Sequence, residues 1–422
     1  MRVLGRRRSR HESGEAGGIQ PSIGGMAQRQ RRMKRKDKPI SSLNDPQAAN
    51  PQAQTKKTFQ HILINTALVL LSVTLAMAAF DLTVYLLPKE RLPGPLRDVV
   101  QQMEISRGTQ YIDHPELGFT INPASDFVFP GSEFRFRFHT PLDYPDAGFR
   151  GGTRGGPVWG AVFGDSFTFG AGVELHATWV ARLAELTQRE ILNFGVPGHG
   201  PYQYTKIFQK FGAPLRPKVV FYALFTNDLK DARRFEGVHT SKSAGFSIKR
   251  FLKFYSVSHN VFRNLGSALR RKPKDSTWHG VGVKLVNRRL RDPYSIPDEE
   301  FAASWEAITV QIEQAAKDAE RIGATLVFLY FPSKEEVYWE LAKDKLKATP
   351  GFAERIDRLR NTALQYCQTR KLLCLDLTPS LKARGLAGEA LYFPLDIHWN
   401  EKGNSLVAQE IHNFLAAKKL LP

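Results

Sequence analysis

The chain has 422 residues, 42% of them hydrophobic, with a formal net charge of +19, enough apolar material for one large domain or two ordinary ones plus tails. Lys and Arg outnumber Asp and Glu by 14 to 4 through residue 60 and by 16 to 4 from Lys230 to Asp292, so the rest is close to neutral. The basicity is therefore local, and without any of the usual binding motifs it argues against a nucleic-acid binder. The two cysteines, Cys367 and Cys374, exclude a cysteine-based zinc site.

In chain order, residues 1–58 are basic and rich in Gln, Ser, Gly and Pro without apolar periodicity, which predicts a disordered cytoplasmic tail. Ile62 to Phe80 carries no charge, and apolar character resumes through Leu87, so residues 59–87 read as a transmembrane anchor. Cationic residues crowd its N-terminal side, which places the N-terminus in the cytoplasm and the chain after Pro88 outside it, that is, in the periplasm if the cell is Gram-negative. Ala76-Met77-Ala78 offers a signal-peptidase site, but the long basic lead favours an uncleaved anchor. Residues 88–152 form a β-rich lead-in, in which Glu133 to His139 alternates strictly as a strand with one wet face does.

From Val158 onward strands and helices alternate. Val158–Val162, Ile191–Phe194, Lys218–Phe225, Ala324–Phe331 and Leu372–Leu377 read as buried strands. Thr178–Glu190, Pro201–Phe211, Pro297–Ile322 and Phe352–Thr369 read as helices, and Asn400 caps a last helix to about Lys418. The alternation predicts an α/β domain over residues 153–422 whose parallel sheet is covered on both faces. A basic, aromatic stretch at about 230–295 interrupts it and reads as a helical insertion, either resting on an anionic membrane surface or binding an acidic polymer, or packed as a cap on the domain with a solvated basic face. Cys367 and Cys374 either pair, if the domain is exported, or sit as two small buried hydrophobes.

Chemistry concentrates in the loops after the strands. Gly164-Asp165-Ser166 follows the first strand, where open α/β sheets place ligands. A serine needs a base and an oxyanion hole before it is a nucleophile. The Gly-rich loop Asn193 to Gly200 can turn a backbone N–H toward the site, and Asn227 can donate from its side chain. Near the end, Asp396-Ile397-His398 offers a base with a carboxylate to orient it, and Asp376 is a second candidate for that carboxylate.

In this set of loops the chain resembles the SGNH or GDSL hydrolase superfamily, from about Val158 to Leu415 apart from the insertion. The resemblance implies a flavodoxin-like three-layer α/β/α sandwich. It implies Ser166 as nucleophile, the Gly198 N–H and Asn227 side chain as oxyanion donors, Asp396 and His398 as acid and base, and no metal or organic cofactor. Many members space the last pair as Asp-x-x-His. The tighter spacing here, followed by Trp399, is similar to alginate-acetyltransferase-like members, as are Pro332 to Tyr338 and Gly148-Phe149-Arg150. The expected activity is that of an extracytoplasmic serine esterase removing O-acyl groups from a cell-surface glycan. The alternatives are an O-acetyltransferase served by a membrane acyl-donor protein and a non-catalytic polysaccharide-assembly scaffold.

Overall fold

The computed structural model describes residues 51–104, 110–123, 125–130, 133–152, 157–234, 252–253, 255–269, 277–286, 294–346 and 351–421. The expected tail lies outside these as far as residue 50, and so does much of the basic insertion. The chain divides into two compact units, Met1–Val69 and Leu70–Pro422.

The main described helices are α1 (Pro51–Leu86), α2 (Gly94–Glu104), α3 (Trp179–Thr187), α4 (Pro201–Ile207), α5 (Val257–Leu269), α6 (Asp298–Arg321), α7 (Lys334–Ala342), α8 (Arg358–Arg370), α9 (Thr378–Leu386) and α10 (Glu401–Ala417). Within α1, Thr58–Leu86 is long and apolar enough to cross a membrane. Its 29 residues span roughly 43 Å as a helix, against about 30 Å of bilayer hydrocarbon. In the second unit the end of α1 carries Val84, which joins Leu92, Val100 and Met103 of the α2 region and Val257 of α5 in a small apolar cluster. Asp81 accepts the Ser258 N–H at 2.6 Å at the start of α5, and the Tyr85 hydroxyl donates to the Tyr255 carbonyl at 3.0 Å.

The lead-in begins with α2 and continues as three antiparallel hairpins, pairing Tyr111–His114 with Gly118–Ile121, Asp126–Pro130 with Arg135–His139, and Leu142–Tyr144 with Ala147–Phe149. Phe136, Phe138 and Phe149 face inward and become part of the main core.

Five strands make the central sheet: β1 (Gly160–Phe163), β2 (Ile191–Asn193), β3 (Val219–Leu224), β4 (Thr325–Tyr330) and β5 (Leu373–Asp376), in the order β5-β4-β3-β1-β2 and all parallel. Every residue of β1, β2 and β3 is buried, which is why these strands appear as unbroken apolar runs. Side chains alternate between faces. Ala161, Phe163, Val220, Tyr222, Phe328 and Tyr330 meet α4, α6 and α8 in one core. Val162, Phe221, Ala223, Val327 and Leu329 meet α3, α7, α9 and α10 in the other. The result is a three-layer α/β/α sandwich of flavodoxin-like strand order. After β1 the chain goes first to β2 on one side and then crosses to β3 on the other, so a crevice opens between the loops that follow β1 and β3.

Cys367 of α8 and Cys374 of β5 are disulfide-bonded, Cα atoms 6.2 Å apart, which settles the two readings of these cysteines in favour of pairing. Replacing both by Ser should lower the free energy of unfolding by about 2 kcal/mol, the amount expected for so short a closed loop. Urea unfolding of the detergent-solubilised protein with and without reductant checks this; coincident curves would show that the bond adds nothing.

Candidate active site

At the end of β1 the backbone enters a single helical turn, Ser166–Phe169. The Asp165 carboxylate caps it by accepting the Phe167 N–H at 2.9 Å, and Gly170 closes it in the left-handed region at φ 77°. Ser166 is thus the first residue of the turn, where N–H groups have no partner within the helix. Gly164 allows the turn to fold back so tightly: a Cβ there would lie 2.1 Å from Thr168 Oγ1. Asp165 is buried, and burial raises its pKa against the Phe167 N–H, which lowers it.

The loop after β2 is tied to this turn. The Asn193 amide donates to the Thr168 carbonyl at 2.7 Å while its Oδ1 accepts the Gly195 N–H at 2.9 Å. Val196 N–H reaches the Gly164 carbonyl at 3.1 Å. Gly198 then takes φ +84°, which L side chains rarely adopt. The next residue, His199, is fully buried; burial pushes its pKa down to about 3, so the ring is neutral and its Nε2–H donates to the Phe119 carbonyl at 2.8 Å. After β3, the Asn227 amide gives one of its two hydrogens to Asp165 Oδ2 at 3.1 Å. Asp228 beside it accepts the Phe225 N–H and the Tyr204 hydroxyl, both at 2.8 Å, and burial holds its pKa well above the usual carboxylate range.

The last loop leaves the sheet layer altogether. Its neck is pinched by the Tyr392–Trp399 bridge and by Phe393 N–H on the His398 carbonyl at 3.0 Å. At its head, Asp396 Oδ1 stands 2.5 Å from His398 Nδ1, and His398 Nε2 stands 2.7 Å from Ser166 Oγ. An ionised carboxylate only accepts, so the proton sits on Nδ1, and Nε2 is left to accept the serine hydroxyl. The Phe167 ring packs 4.9 Å from the imidazole, whose side chain is 16% exposed. Lys334, at the start of α7 and fully buried, donates to the carbonyls of Phe393 at 2.9 Å, Pro394 at 3.2 Å and Asp396 at 2.6 Å. Asp376, by contrast, is engaged by Arg360 at 2.7 Å and by the Thr378 N–H at 2.9 Å. Among the described residues, no group of three or more His, Cys, Asp and Glu is arranged to hold a metal ion.

Ser166, His398 and Asp396 are therefore brought into one line of hydrogen bonds, with Asn227 linked to the cap of the serine turn and Gly198 on the loop fastened beside it. A hydroxyl, an imidazole and a carboxylate so joined can transfer an acyl group. Sequence reading passed over Asn193, Lys334, Glu133 and Arg150 as individual residues. Asn193 had a local signal, a turn-forming side chain directly after a buried strand; the others act through contacts distant in sequence.

The class that fold and site define is that of the α/β acyl hydrolases. The chain belongs to the GDSL-like lipase/acylhydrolase family, whose model matches residues 162–406. Among solved structures it is similar to a G-D-S-L lipolytic protein from Desulfitobacterium hafniense, with 16% identity and a TM-score of 0.34 over 60% of this chain and 98% of that one. It is also similar to an acetylxylan esterase from Geobacillus stearothermophilus, with 11% identity and a TM-score of 0.34 over 62% of this chain and 96% of that one. Likenesses this distant carry no weight on substrate. No curated protein matches the chain.

Gly195 is where the second loop and the serine turn come closest. A Cβ there would lie 2.4 Å from the Phe169 nitrogen and 2.8 Å from the Thr168 carbonyl carbon, both backbone. Gly195→Ala should destabilise the fold by about 1–3 kcal/mol, as overpacking does, and slow ester hydrolysis more than it weakens substrate binding. Denaturant unfolding alongside kcat and KM measures both effects.

Proposed function

We propose that this enzyme is a membrane-anchored, extracytoplasmic serine esterase that removes O-acyl groups, chiefly acetyl, from a cell-surface glycan. The observation that carries the reading is the unbroken contact from Asp396 through His398 to Ser166, 2.5 and 2.7 Å long. Its location is supported by the candidate span in α1, by the cationic residues before that span, and by the disulfide, since such bonds persist in oxidising compartments. In this reading residues 1–58 are a cytoplasmic tail, 59–87 the anchor, 88–152 the lead-in and 153–422 the catalytic domain.

His398 takes the proton of Ser166 as Oγ attacks the ester carbonyl carbon. The negative charge that develops on the carbonyl oxygen is met by the N–H groups of Ser166 and Gly198 and by the amide hydrogen of Asn227 that Asp165 does not use. Each such donor is worth about 3 kcal/mol of barrier. The imidazolium, stabilised by Asp396, gives its proton to the departing sugar oxygen as the C–O bond breaks, releasing the sugar hydroxyl. A water then gives its proton to His398 and attacks the acyl-serine, and collapse returns the proton to Ser166 and releases the acid. The same acyl-serine can be taken by a sugar hydroxyl instead, and the Asp396-Ile397-His398-Trp399 pattern favours keeping this transferase reading as the second one.

Ser166→Ala should abolish hydrolysis of p-nitrophenyl acetate, a fall of about 10⁴-fold or more, with an unchanged melting profile. A fluorophosphonate should label the native protein and not the variant; full activity in Ser166→Ala would sink the proposal. Acetate released into water from an O-acetylated polysaccharide selects hydrolysis, and faster transfer to an oligosaccharide selects the second reading.

The two carboxylate candidates separate by the same assay. Asp396→Asn should lower kcat by about 10²- to 10⁴-fold, whereas Asp376→Asn should leave kcat within a few-fold and lower the melting temperature, because it removes the carboxylate charge paired with Arg360.

A further inference from the structure

Three loops carry the proposed machinery, and each is also gripped by the hairpin lead-in, which precedes the family-matched residues 162–406. The serine turn is held by Arg150. This guanidinium is fully buried, stacks over the Phe136 and Phe169 rings at 4.6 and 4.8 Å, and donates to the carbonyls of Phe169, Gly170 and Val173. The Gly198 loop is held by Phe119, whose carbonyl takes the His199 Nε2–H and whose ring meets the imidazole edge-on at 4.8 Å. The acid–base loop is held by Glu133, whose Oε2 accepts the N–H groups of Leu395 at 2.8 Å and Asp396 at 2.9 Å, while the neighbouring Phe134 ring packs 4.8 Å from Phe393.

We propose that the lead-in is a positioning element of the active site, and that Glu133 is the positioning residue for Asp396 and His398. The loop from Phe393 to His398 is neither strand nor helix, so its peptide groups must find partners elsewhere. Lys334 supplies them on the carbonyl side and Glu133 on the N–H side. The lysine offers only donors and the carboxyl of Glu133 offers oxygens that accept, so each kind of peptide group meets the partner it needs. Two residues after Asp396, the His398 N–H goes to Asp396 Oδ1 at 3.0 Å. Glu133 therefore fixes the residue on which the orientation of His398 rests, without touching the reacting atoms. A displacement of 1 Å in such a constellation can cost about 10²-fold in rate.

This inference rests on the Ser166–His398–Asp396 reading, and two readouts keep the two apart. In the full-length protein in detergent, Glu133→Ala removes both acceptor contacts, while Glu133→Gln keeps an oxygen able to accept the two N–H groups. The alanine variant should lose about 10- to 100-fold in kcat on p-nitrophenyl acetate with KM within about twofold, and the glutamine variant should recover most of that loss. Amide exchange in the peptide covering residues 393–399 should rise in Glu133→Ala, return in Glu133→Gln, and stay unchanged in the peptide covering Ser166. A wild-type kcat and wild-type exchange in Glu133→Ala would overturn the proposal. So would a glutamine variant as impaired as the alanine one with exchange unaltered, which would assign the effect to charge. If the native protein neither hydrolyses esters nor takes a fluorophosphonate, the catalytic reading fails, and the exchange arm still decides whether Glu133 fixes the loop.

Discussion

The contact between His398 and Ser166 joins residues 232 positions apart in sequence, and its two ends are held by different means. The serine end inherits its position from the sheet. β1 is buried on both faces, and Asp165, Asn193 and Gly164 set the turn that follows it. The histidine end has no regular structure to inherit from, and its backbone is therefore fixed one hydrogen bond at a time. Fixing each residue costs about 1–2 kcal/mol of conformational entropy, and here that cost is offset by side-chain contacts from Glu133 and Lys334 rather than by a ladder of strand pairs. An acyl-transfer centre needs its groups aligned before substrate arrives, so this unevenness places the sensitive part of the site in the loop from Phe393 to His398.

The junction between the end of α1 and α5 in the second unit follows a similar economy. Asp81 interrupts the apolar character of α1, and its carboxylate accepts the Ser258 N–H in the first turn of α5, where negative charge suits a helix N-terminus. The insertion helix is thereby fastened to the end of the apolar helix through Val84 and Val257. Phe262 and Leu265 remain 61% and 54% exposed on it. The described part of the insertion is thus packed against the end of α1 and the α2 region.

Legibility in the sequence followed burial. β3 and β4 stood out because a parallel strand covered on both faces has no polar position to disguise it. Their ends were read to within one residue. Helices were harder: the single helix read over Phe352–Thr369 is two, Phe352–Arg355 and Arg358–Arg370, and the one over Pro201–Phe211 becomes a π-turn after Ile207. Such breaks come from packing, which local composition does not encode. Within the site, Ser166, Gly198, Asn227, Asp396 and His398 were visible because each lies in a short loop directly after an apolar run or before a capped helix. Glu133, Arg150 and Lys334 were not, because a charged residue in an alternating strand or at a helix start reads as solvated. Only the tertiary fold reveals that Arg150 and Lys334 are fully buried.

The spacing of Asp396 and His398 has a structural answer of its own. With one residue between them, the aspartate can accept the backbone N–H of His398 at 3.0 Å through the same Oδ1 that faces the ring nitrogen at 2.5 Å. This is the local turn that Asp side chains form two residues ahead. It makes the carboxylate report on the histidine backbone and ring together, so rotating the ring away from Asp396 leaves the carboxylate in place. The carboxylate itself is held because Glu133 and Lys334 grip the Asp396 N–H and carbonyl. The short spacing thus ties the pair together, and the orientation of the imidazole reduces to how firmly one residue, Asp396, is held by its N–H on Glu133 of the lead-in and by its carbonyl on Lys334 of α7.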